Sequence, residues 1–119
     1  PLQVYGNGKQ SRCFCHVADV VRALRLLVDC PESHGQIYNI GGRRSITIAE
    51  LAQLVIDRIG SSSKIEYLSY DKAYAKGFED MMRRMPNTEA IRKLTGWQPE
   101  HTLEEVIDDV RDCLLAERG

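Results

Sequence analysis

Apolar residues recur at spacings of three and four along several stretches of the chain, which is the pattern of helices with one buried face. The first stretch begins at Val17 and ends before Pro31, a residue that cannot continue a helix. The residues on its predicted apolar face are Val17, Val20, Val21, Leu24, Leu27 and Val28. The charged residues on the opposite face are Asp19, Arg22, Arg25 and Asp29.

Two further helices are marked by capping boxes, in which a threonine hydroxyl and a glutamate satisfy N–H groups of the first turn. The boxes are Thr47-Ile48-Ala49-Glu50 and Thr102-Leu103-Glu104-Glu105. Gly60 is expected to end the first of these helices. A shorter helix is predicted between them, capped by Asn87 or Thr88 and broken at Gly96.

Short apolar runs between the helices predict strands. The predicted strands are Leu2 to Tyr5, Arg12 to His16, Gln36 to Ile40 and Lys64 to Leu68. The stretch 69–84 has no clean period, which favours a long loop of the kind that serves binding. Short strands with about four helices in a single domain, residues 1–119, indicate an α/β fold.

Charge and cysteine content limit the binding partners and the cellular compartment that the sequence favours. With 16 basic and 17 acidic side chains, a net charge of −1, no global field favours nucleic acid or an anionic membrane. No apolar run approaches a membrane span. The four cysteines are interpreted as reduced, mostly buried thiols of a cytoplasmic protein. Because the Cys13-x-Cys15 spacer is shorter than structural zinc sites use, no metal is expected.

Two side chains near the last helix have simple interpretations. Trp97, which follows Gly96, is expected to anchor that helix by packing. His101 precedes a helix cap and is expected to be solvated.

An Asn7-Gly8 pair lies between the first two predicted strands, where it favours a tight chain reversal. Arg12 follows this turn between apolar neighbours. A glycine-framed loop exposes backbone N–H groups, and a nearby guanidinium grips anions bidentately, so this corner is a candidate phosphate site. The alternative is a surface hairpin with one solvated arginine.

An ordered set of motifs carries a family resemblance. The motifs are Tyr-Gly-Asn-Gly-Lys-Gln-x-Arg-x-Phe at 5–14, Val-x-Asp-x-Val at 17–21, Tyr-Asn-Ile-Gly at 38–41, Thr-Ile-x-Glu-Leu-Ala at 47–52, Arg-x-Pro at 84–86, Leu-x-Gly-Trp-x-Pro at 94–99 and Leu-Glu-Glu at 103–105. In this order they resemble the C-terminal part of the extended short-chain dehydrogenase/reductase family. Its members are NAD-dependent nucleotide-sugar epimerases, dehydratases and decarboxylases.

The resemblance implies a substrate-binding role without catalytic groups. The family binds NAD through a Gly-rich turn that opens a helix, and its acid/base pair is a Tyr and a Lys four residues apart on one helix. Gly6-Asn7-Gly8 is not followed by a predicted helix, and the glycines between Tyr5 and Lys9 preclude one. We therefore expect no catalytic and no cofactor-binding residues in this chain, and NAD only in the parent enzyme.

The family's substrate-binding residues carry over to several positions. The strand Gln3-Val4-Tyr5 is expected to read the nucleotide base through its backbone, and Arg12 to grip the diphosphate. Arg84 aligns with a second arginine near the diphosphate or sugar, whereas Arg83 is interpreted as solvated. Phe78 aligns with a tyrosine in members that decarboxylate UDP-glucuronic acid, and it lacks that tyrosine's hydroxyl.

The expected function is therefore to hold a UDP- or dTDP-linked sugar while a missing N-terminal Rossmann domain oxidises the sugar at C4. Alone, the chain is expected to be inactive and to form a homo-oligomer, with a strand-exchanged dimer as one form. The alternative is a stand-alone ligand-binding or interaction module with no enzymatic parent. A Rossmann fingerprint encoded upstream of Pro1 would favour the first interpretation, and a natural start near Pro1 the second.

Overall fold

The computed structural model describes residues 1–69 and 82–118 of the chain. Within these ranges it has four α-helices and short strands, so the predicted small α/β fold is confirmed. In chain order the elements are β1 (Leu2–Tyr5), β2 (Ser11–Cys13), α1 (Val17–Val28), a 3₁₀ turn (Pro31–Ser33), β3 (Ser45–Thr47), α2 (Ile48–Ile59), β4 (Ile65–Leu68), α3 (Glu89–Thr95) and α4 (Leu103–Arg118).

The strands that flank the Asn-Gly pair do not form a hairpin with each other. β1 pairs in parallel with β4, with Val4 opposite Tyr67, whereas β2 pairs antiparallel with β3, with Arg12 opposite Ile46. The predicted turn is present, but Gly6 and Gly8 take positive φ, at 66° and 70°, and Asn7 does not. The Asn7 side chain instead accepts a hydrogen bond from the Lys9 N–H at 2.9 Å, as in an Asx turn.

The predicted strand from Gln36 to Ile40 is wrong for the described part of the chain, which gives this segment no ladder partner. The alternation that suggested it is nevertheless present: Tyr38 and Ile40 pack against the core, while Ile37 is 92% exposed. Side chains can alternate between core and solvent without a hydrogen-bonded neighbour, and alternation alone does not supply one.

The predicted helix ends are confirmed at the residues that cap them. The Thr47 hydroxyl accepts from the Glu50 N–H and the Thr102 hydroxyl from the Glu105 N–H, both at 3.1 Å. Gly60 ends α2 with a left-handed conformation. Before α3, the Asn87 side chain accepts from the Glu89 N–H at 3.0 Å.

The core has two clusters of buried apolar residues. One contains Ala23, Ile91 and Trp97, and the other contains Ile46, Leu103 and Ile107. The predicted packing role of Trp97 is confirmed, since only 1% of it is exposed. Its indole N–H donates to the Asp19 carbonyl oxygen at 3.0 Å, which joins the start of α1 to the segment before α4.

The predicted orientation of α1 is wrong. Its buried residues are Asp19 and Ala23. The exposed residues form an apolar stripe at helical spacing: Val17, Val21, Leu24 and Val28. Asp19 can be buried because its carboxylate accepts two hydrogen bonds from His101, and residue polarity alone does not reveal such a partner. We name these four residues the α1 stripe.

The cysteine environment also differs from expectation. Cys113 is exposed, and Cys13, Cys15 and Cys30 are only partly buried, so the thiols are not mostly buried. Among the described helices, none combines the length and apolar character that crossing a membrane requires.

Gly42 lies where two backbone segments touch, and this gives a stability prediction. A Cβ at this position would lie 2.1 Å from the Phe14 carbonyl oxygen, so Gly42→Ala forces backbone to move. We expect a loss of about 3 kcal/mol in the free energy of unfolding, measured by urea denaturation. Gly60→Ala is the control, because its Cβ would meet open space and only the positive φ costs energy, about 1 kcal/mol. Equal stability of the two variants would contradict the crowding at Gly42.

Candidate functional site

The β1 strand turns one backbone edge toward β4 and the other away from it. The N–H groups of Leu2 and Gly6 donate to β4 and the residue before it, at 2.8 and 2.7 Å. Because alternate residues address opposite edges, the backbone groups of Gln3 face away from β4. Val4 is buried and Gln3 is exposed, so the Val4 side chain is not presented to a ligand. This geometry suits reading a ligand through the backbone of β1.

The Gly-rich loop is packed against the start of α2 by its carbonyl groups. Gly8 and Gln10 accept hydrogen bonds from the N–H groups of Ala49 and Ile48, at 2.9 and 3.0 Å. A Cβ at Gly8 would lie 2.9 Å from the Ala49 Cβ, which explains the glycine. The N–H groups that a helix start offers to an anion are therefore already used here. The loop therefore does not present a free helix start to a dinucleotide, and the phosphate cradle of its own N–H groups stays a prediction.

Ser11 brings the two predicted anion-binding arginines onto neighbouring segments. Its N–H donates to the Met82 carbonyl at 2.6 Å, and its carbonyl accepts from the Arg84 N–H at 3.3 Å. Ser11 and Arg83 form a parallel bridge, so Arg12 and Arg84 come next in the same register. Continued by one residue, this register sets the backbone of Arg84 next to that of Arg12, and consecutive side chains of an extended segment alternate between its two sides.

The Arg12 guanidinium also contacts the Ser11 carbonyl group. Its Nη1 donates to the Ser11 carbonyl oxygen at 2.7 Å, the same oxygen that accepts from Arg84. Arg12 itself is half-buried and Arg84 is exposed. Phe78, the remaining predicted site residue, lies outside the described residues. The Ser11 carbonyl oxygen thus contacts both the Arg12 guanidinium and the Arg84 backbone N–H.

A cleft lies beside Arg83. It has a volume of about 710 Å³, and three arginines line it: Arg43, Arg83 and Arg92. Arg43 donates to the Gln98 side chain at 2.7 Å and Arg92 pairs with Glu89 at 2.6 Å, so one carboxylate accompanies three cations. The interpretation of Arg83 as merely solvated is incomplete, and Arg43 and Arg92 were not predicted here because the chain brings them together only on folding.

His101 and Asp19 form a pair that sequence analysis missed. The His101 Nδ1 and backbone N–H each lie 3.0 Å from an Asp19 carboxylate oxygen, so the expected solvated histidine is wrong. Burial raises the pKa of the Asp19 carboxyl, but hydrogen bonds from His101 and the Glu100 backbone together hold it below its ordinary value. The same hydrogen bond to Asp19 raises the pKa of His101, against a smaller lowering by desolvation.

The described residues show no metal centre, and the Cys15 thiol is not activated. Among the described residues, no group of three or more His, Cys, Asp or Glu side chains is arranged to hold a metal ion. Burial and the neighbouring Asp19 raise the pKa of the Cys15 thiol, which disfavours the thiolate.

Comparison with known proteins identifies the class of this α/β domain and then its family. A solved UDP-glucose 4-epimerase from Thermotoga maritima, with UDP-glucose, superposes with a TM-score of 0.78 at 26% identity, over 95% of this chain and 35% of that one. A dTDP-glucose 4,6-dehydratase from Bacillus anthracis, in complex with NAD, superposes with a TM-score of 0.74 at 27% identity, over 90% of this chain and 32% of that one. The class is that of nucleotide-sugar epimerases and dehydratases.

The chain belongs to the family described as GDP-mannose 4,6 dehydratase, whose model matches residues 1–110. A UDP-N-acetyl-alpha-D-glucosaminuronate decarboxylase from Bacillus cytotoxicus is 36% identical over 115 residues, which are 93% of this chain. The resemblance to NAD-dependent nucleotide-sugar enzymes is therefore confirmed. The chain spans only about a third of its relatives, 36% of the Bacillus cytotoxicus protein.

Proposed function

We propose that this chain is the nucleotide-sugar-binding part of an NAD-dependent nucleotide-sugar epimerase, dehydratase or decarboxylase. The observation that supports the proposal most is the pair of Ser11 backbone hydrogen bonds that join the segments carrying Arg12 and Arg84. A diphosphate offers one oxygen-rich group to each of two arginine side chains, which can hold it through charge-assisted hydrogen bonds.

The ligand class follows from the chemistry of these elements. Each charge-assisted hydrogen bond to a phosphate contributes about 1.5–3 kcal/mol. The outer backbone edge of β1 would accept the base, whose donors and acceptors match backbone groups. Similarity to enzymes of UDP- and dTDP-linked sugars supports a UDP- or dTDP-linked sugar. The role of this chain is to orient the sugar, not to make or break its bonds.

The remaining chemistry belongs to a Rossmann domain that we propose precedes Pro1 in the complete protein. NAD bound there would oxidise the sugar, since the Gly-rich loop of this chain does not present a free helix start to a dinucleotide. The α1 stripe supports this arrangement: four apolar side chains on one exposed face need a cover, and an adjoining domain provides one. A homo-oligomer in the cytoplasm also stays a prediction.

Separate substitutions of Arg83 and Arg84 test the proposed diphosphate site. In the full-length protein, Arg84→Ala should weaken binding of a UDP-sugar about tenfold or more, because Arg84 lies on the Arg12 side. Arg83→Ala is the matched control and should stay within about twofold, because its side chain faces the other cleft. Isothermal titration measures both. If Arg83→Ala weakens binding more than Arg84→Ala, the diphosphate lies in the other cleft and the proposed site is wrong.

The isolated 119-residue chain should neither bind NAD tightly nor turn over a nucleotide sugar. The Gly8 and Gln10 carbonyls accept the first two N–H groups of α2, so a pyrophosphate cannot bind at the start of that helix. Calorimetric titration of the chain with NAD should give no micromolar binding, which would need about −8 kcal/mol. Micromolar affinity for NAD would contradict the proposal that NAD binds outside this chain.

A further inference from the structure

The cleft beside Arg83 lies between two segments that tertiary contacts hold together. A Cβ at Gly41 would lie 2.5 Å from the Pro86 side chain, so these two residues are in close contact. The Asn39 amide also donates to the Asn87 carbonyl oxygen at 3.4 Å. Because both contacts join residues that are distant in the chain, the cleft is formed by the packing of the two segments and not by a single loop.

Three cations and one carboxylate line the cleft: Arg43, Arg83, Arg92 and Glu89. The Glu89 carboxylate accepts two hydrogen bonds from Arg92, at 3.1 and 2.6 Å, so its charge is already paired. Arg43 donates instead to a neutral amide at 2.7 Å, and Arg83 to the sulfur of Met85 at 3.6 Å, a weak acceptor. Among the described residues, neither Arg43 nor Arg83 pairs with a carboxylate, so both keep donors for a bound anion.

We propose that these side chains form a binding site for a multiply charged phosphate, either a free diphosphate or the diphosphate of a nucleotide. We name the site the arginine cleft: Arg43, Arg83 and Arg92. Neither Arg12 nor Arg84 is among the described residues that line it, so it is separate from the proposed site for the substrate diphosphate. The arginine cleft does not depend on whether the chain binds a nucleotide sugar at Arg12.

A diphosphate matches the charges of the arginine cleft better than a single carboxylate does. Three cations against one carboxylate leave an excess of positive charge, which attracts a ligand that carries more than one negative charge. Each planar guanidinium offers paired N–H donors, and a diphosphate presents enough oxygens to contact more than one arginine. The volume of about 710 Å³ lies within the range of small-molecule sites, so the cleft has room for a diphosphate or a nucleotide.

Calorimetric titration of the 119-residue chain with inorganic pyrophosphate tests the arginine cleft. Arg43→Ala and Arg92→Ala should each weaken binding about fivefold, because each removes a charge-assisted contact in a partly solvated cleft. Glu89→Gln should strengthen binding about threefold, since it removes a negative charge from the cleft and releases the Arg92 guanidinium. Arg25→Ala removes a charge from an exposed position on α1 and is the control, with an affinity within about twofold of wild type.

A second series of titrations separates the arginine cleft from the site at Arg12. In an Arg12→Ala background, Arg43→Ala should still weaken pyrophosphate binding about fivefold, and loss of that effect would place the ligand at Arg12 and overturn the proposal. Weaker binding by Glu89→Gln would also overturn it, because excess positive charge would then not govern the affinity. ADP in place of pyrophosphate distinguishes the two sources: binding at least about tenfold tighter identifies a nucleotide, and equal affinity a free diphosphate.

Discussion

Replacing Trp97 by alanine should lower the free energy of unfolding by about 3–5 kcal/mol, the largest stability loss that we expect of a single substitution in this chain. Trp97 is 1% exposed and packs with Ala23 and Ile91, so the substitution leaves a large cavity. It also leaves the Asp19 carbonyl without its indole donor. Since domains of this size are stable by only about 5–15 kcal/mol, the variant should be close to unfolding.

Trp97→Phe separates packing from hydrogen bonding. A phenyl ring keeps most of the buried volume but cannot donate to the Asp19 carbonyl, so the loss should be smaller, about 1–3 kcal/mol. Urea denaturation of both variants, followed by far-ultraviolet circular dichroism, gives the comparison. A loss below about 1 kcal/mol for Trp97→Ala would show that the segment before α4 is not anchored by this residue.

Replacing Arg12 by alanine in the full-length enzyme should raise the apparent KM for the nucleotide sugar about ten- to a hundredfold. The reason is local: Arg12 is half-buried, and Arg84 lies in register with it across Ser11. Loss of one charge-assisted pair to a phosphate costs about 1.5–3 kcal/mol, which is this change in affinity. NAD affinity should stay nearly unchanged, because the described residues around Arg12 do not fit a dinucleotide.

Two further variants control this result. Arg12→Lys should recover only part of the affinity, since an ammonium cannot form the planar fork of a guanidinium. Arg25→Ala removes a comparable charge from an exposed position on α1 and should have little effect. If Arg12→Ala unfolds the protein, Arg12 is a structural residue and its phosphate role loses its basis.

Helix positions were predictable because the signals that set them are local. Thr47, Thr102 and Gly60 act within one turn of their own helix, so a short stretch of sequence contains the whole interaction. Three of the four described strands were predicted, but Ser45–Thr47 was missed, the predicted strand 36–40 was wrong, and strand partners were not predictable. β1 pairs with β4, some sixty residues away, because that neighbour is chosen by the fold and not by the turn between β1 and β2.

The face of α1 was mispredicted for a tertiary reason. Polarity placed Asp19 in solvent, but His101 supplies two donors to it from 82 residues away. The apolar stripe on the other face is then exposed in this chain, since one helix cannot bury both faces against the same core. The Val-x-Asp-x-Val pattern alone does not show that its Asp is buried. That conclusion also requires the hydrogen-bond partner of the carboxylate to be known.

Residues of the candidate site could be predicted from the sequence only where they belong to a family motif. Arg12 and Arg84 came from family resemblance, and the structure adds the contact through Ser11 that links them. Arg43 and Arg92 have no motif, and their shared cleft exists only because the loop after Gly42 meets the start of α3. Physical proximity between distant segments is the information that the sequence alone lacks.

The central claim, that Arg12 and Arg84 hold a diphosphate, is tested most directly by comparing two ligands that differ only in their phosphates. Full-length protein carrying Arg12→Ala should bind UDP about ten- to a hundredfold more weakly than wild type, whereas its affinity for uridine should stay within about twofold. Calorimetric titration of both ligands gives the ratio. Unchanged UDP affinity, or an equal loss for UDP and uridine, would contradict the diphosphate assignment.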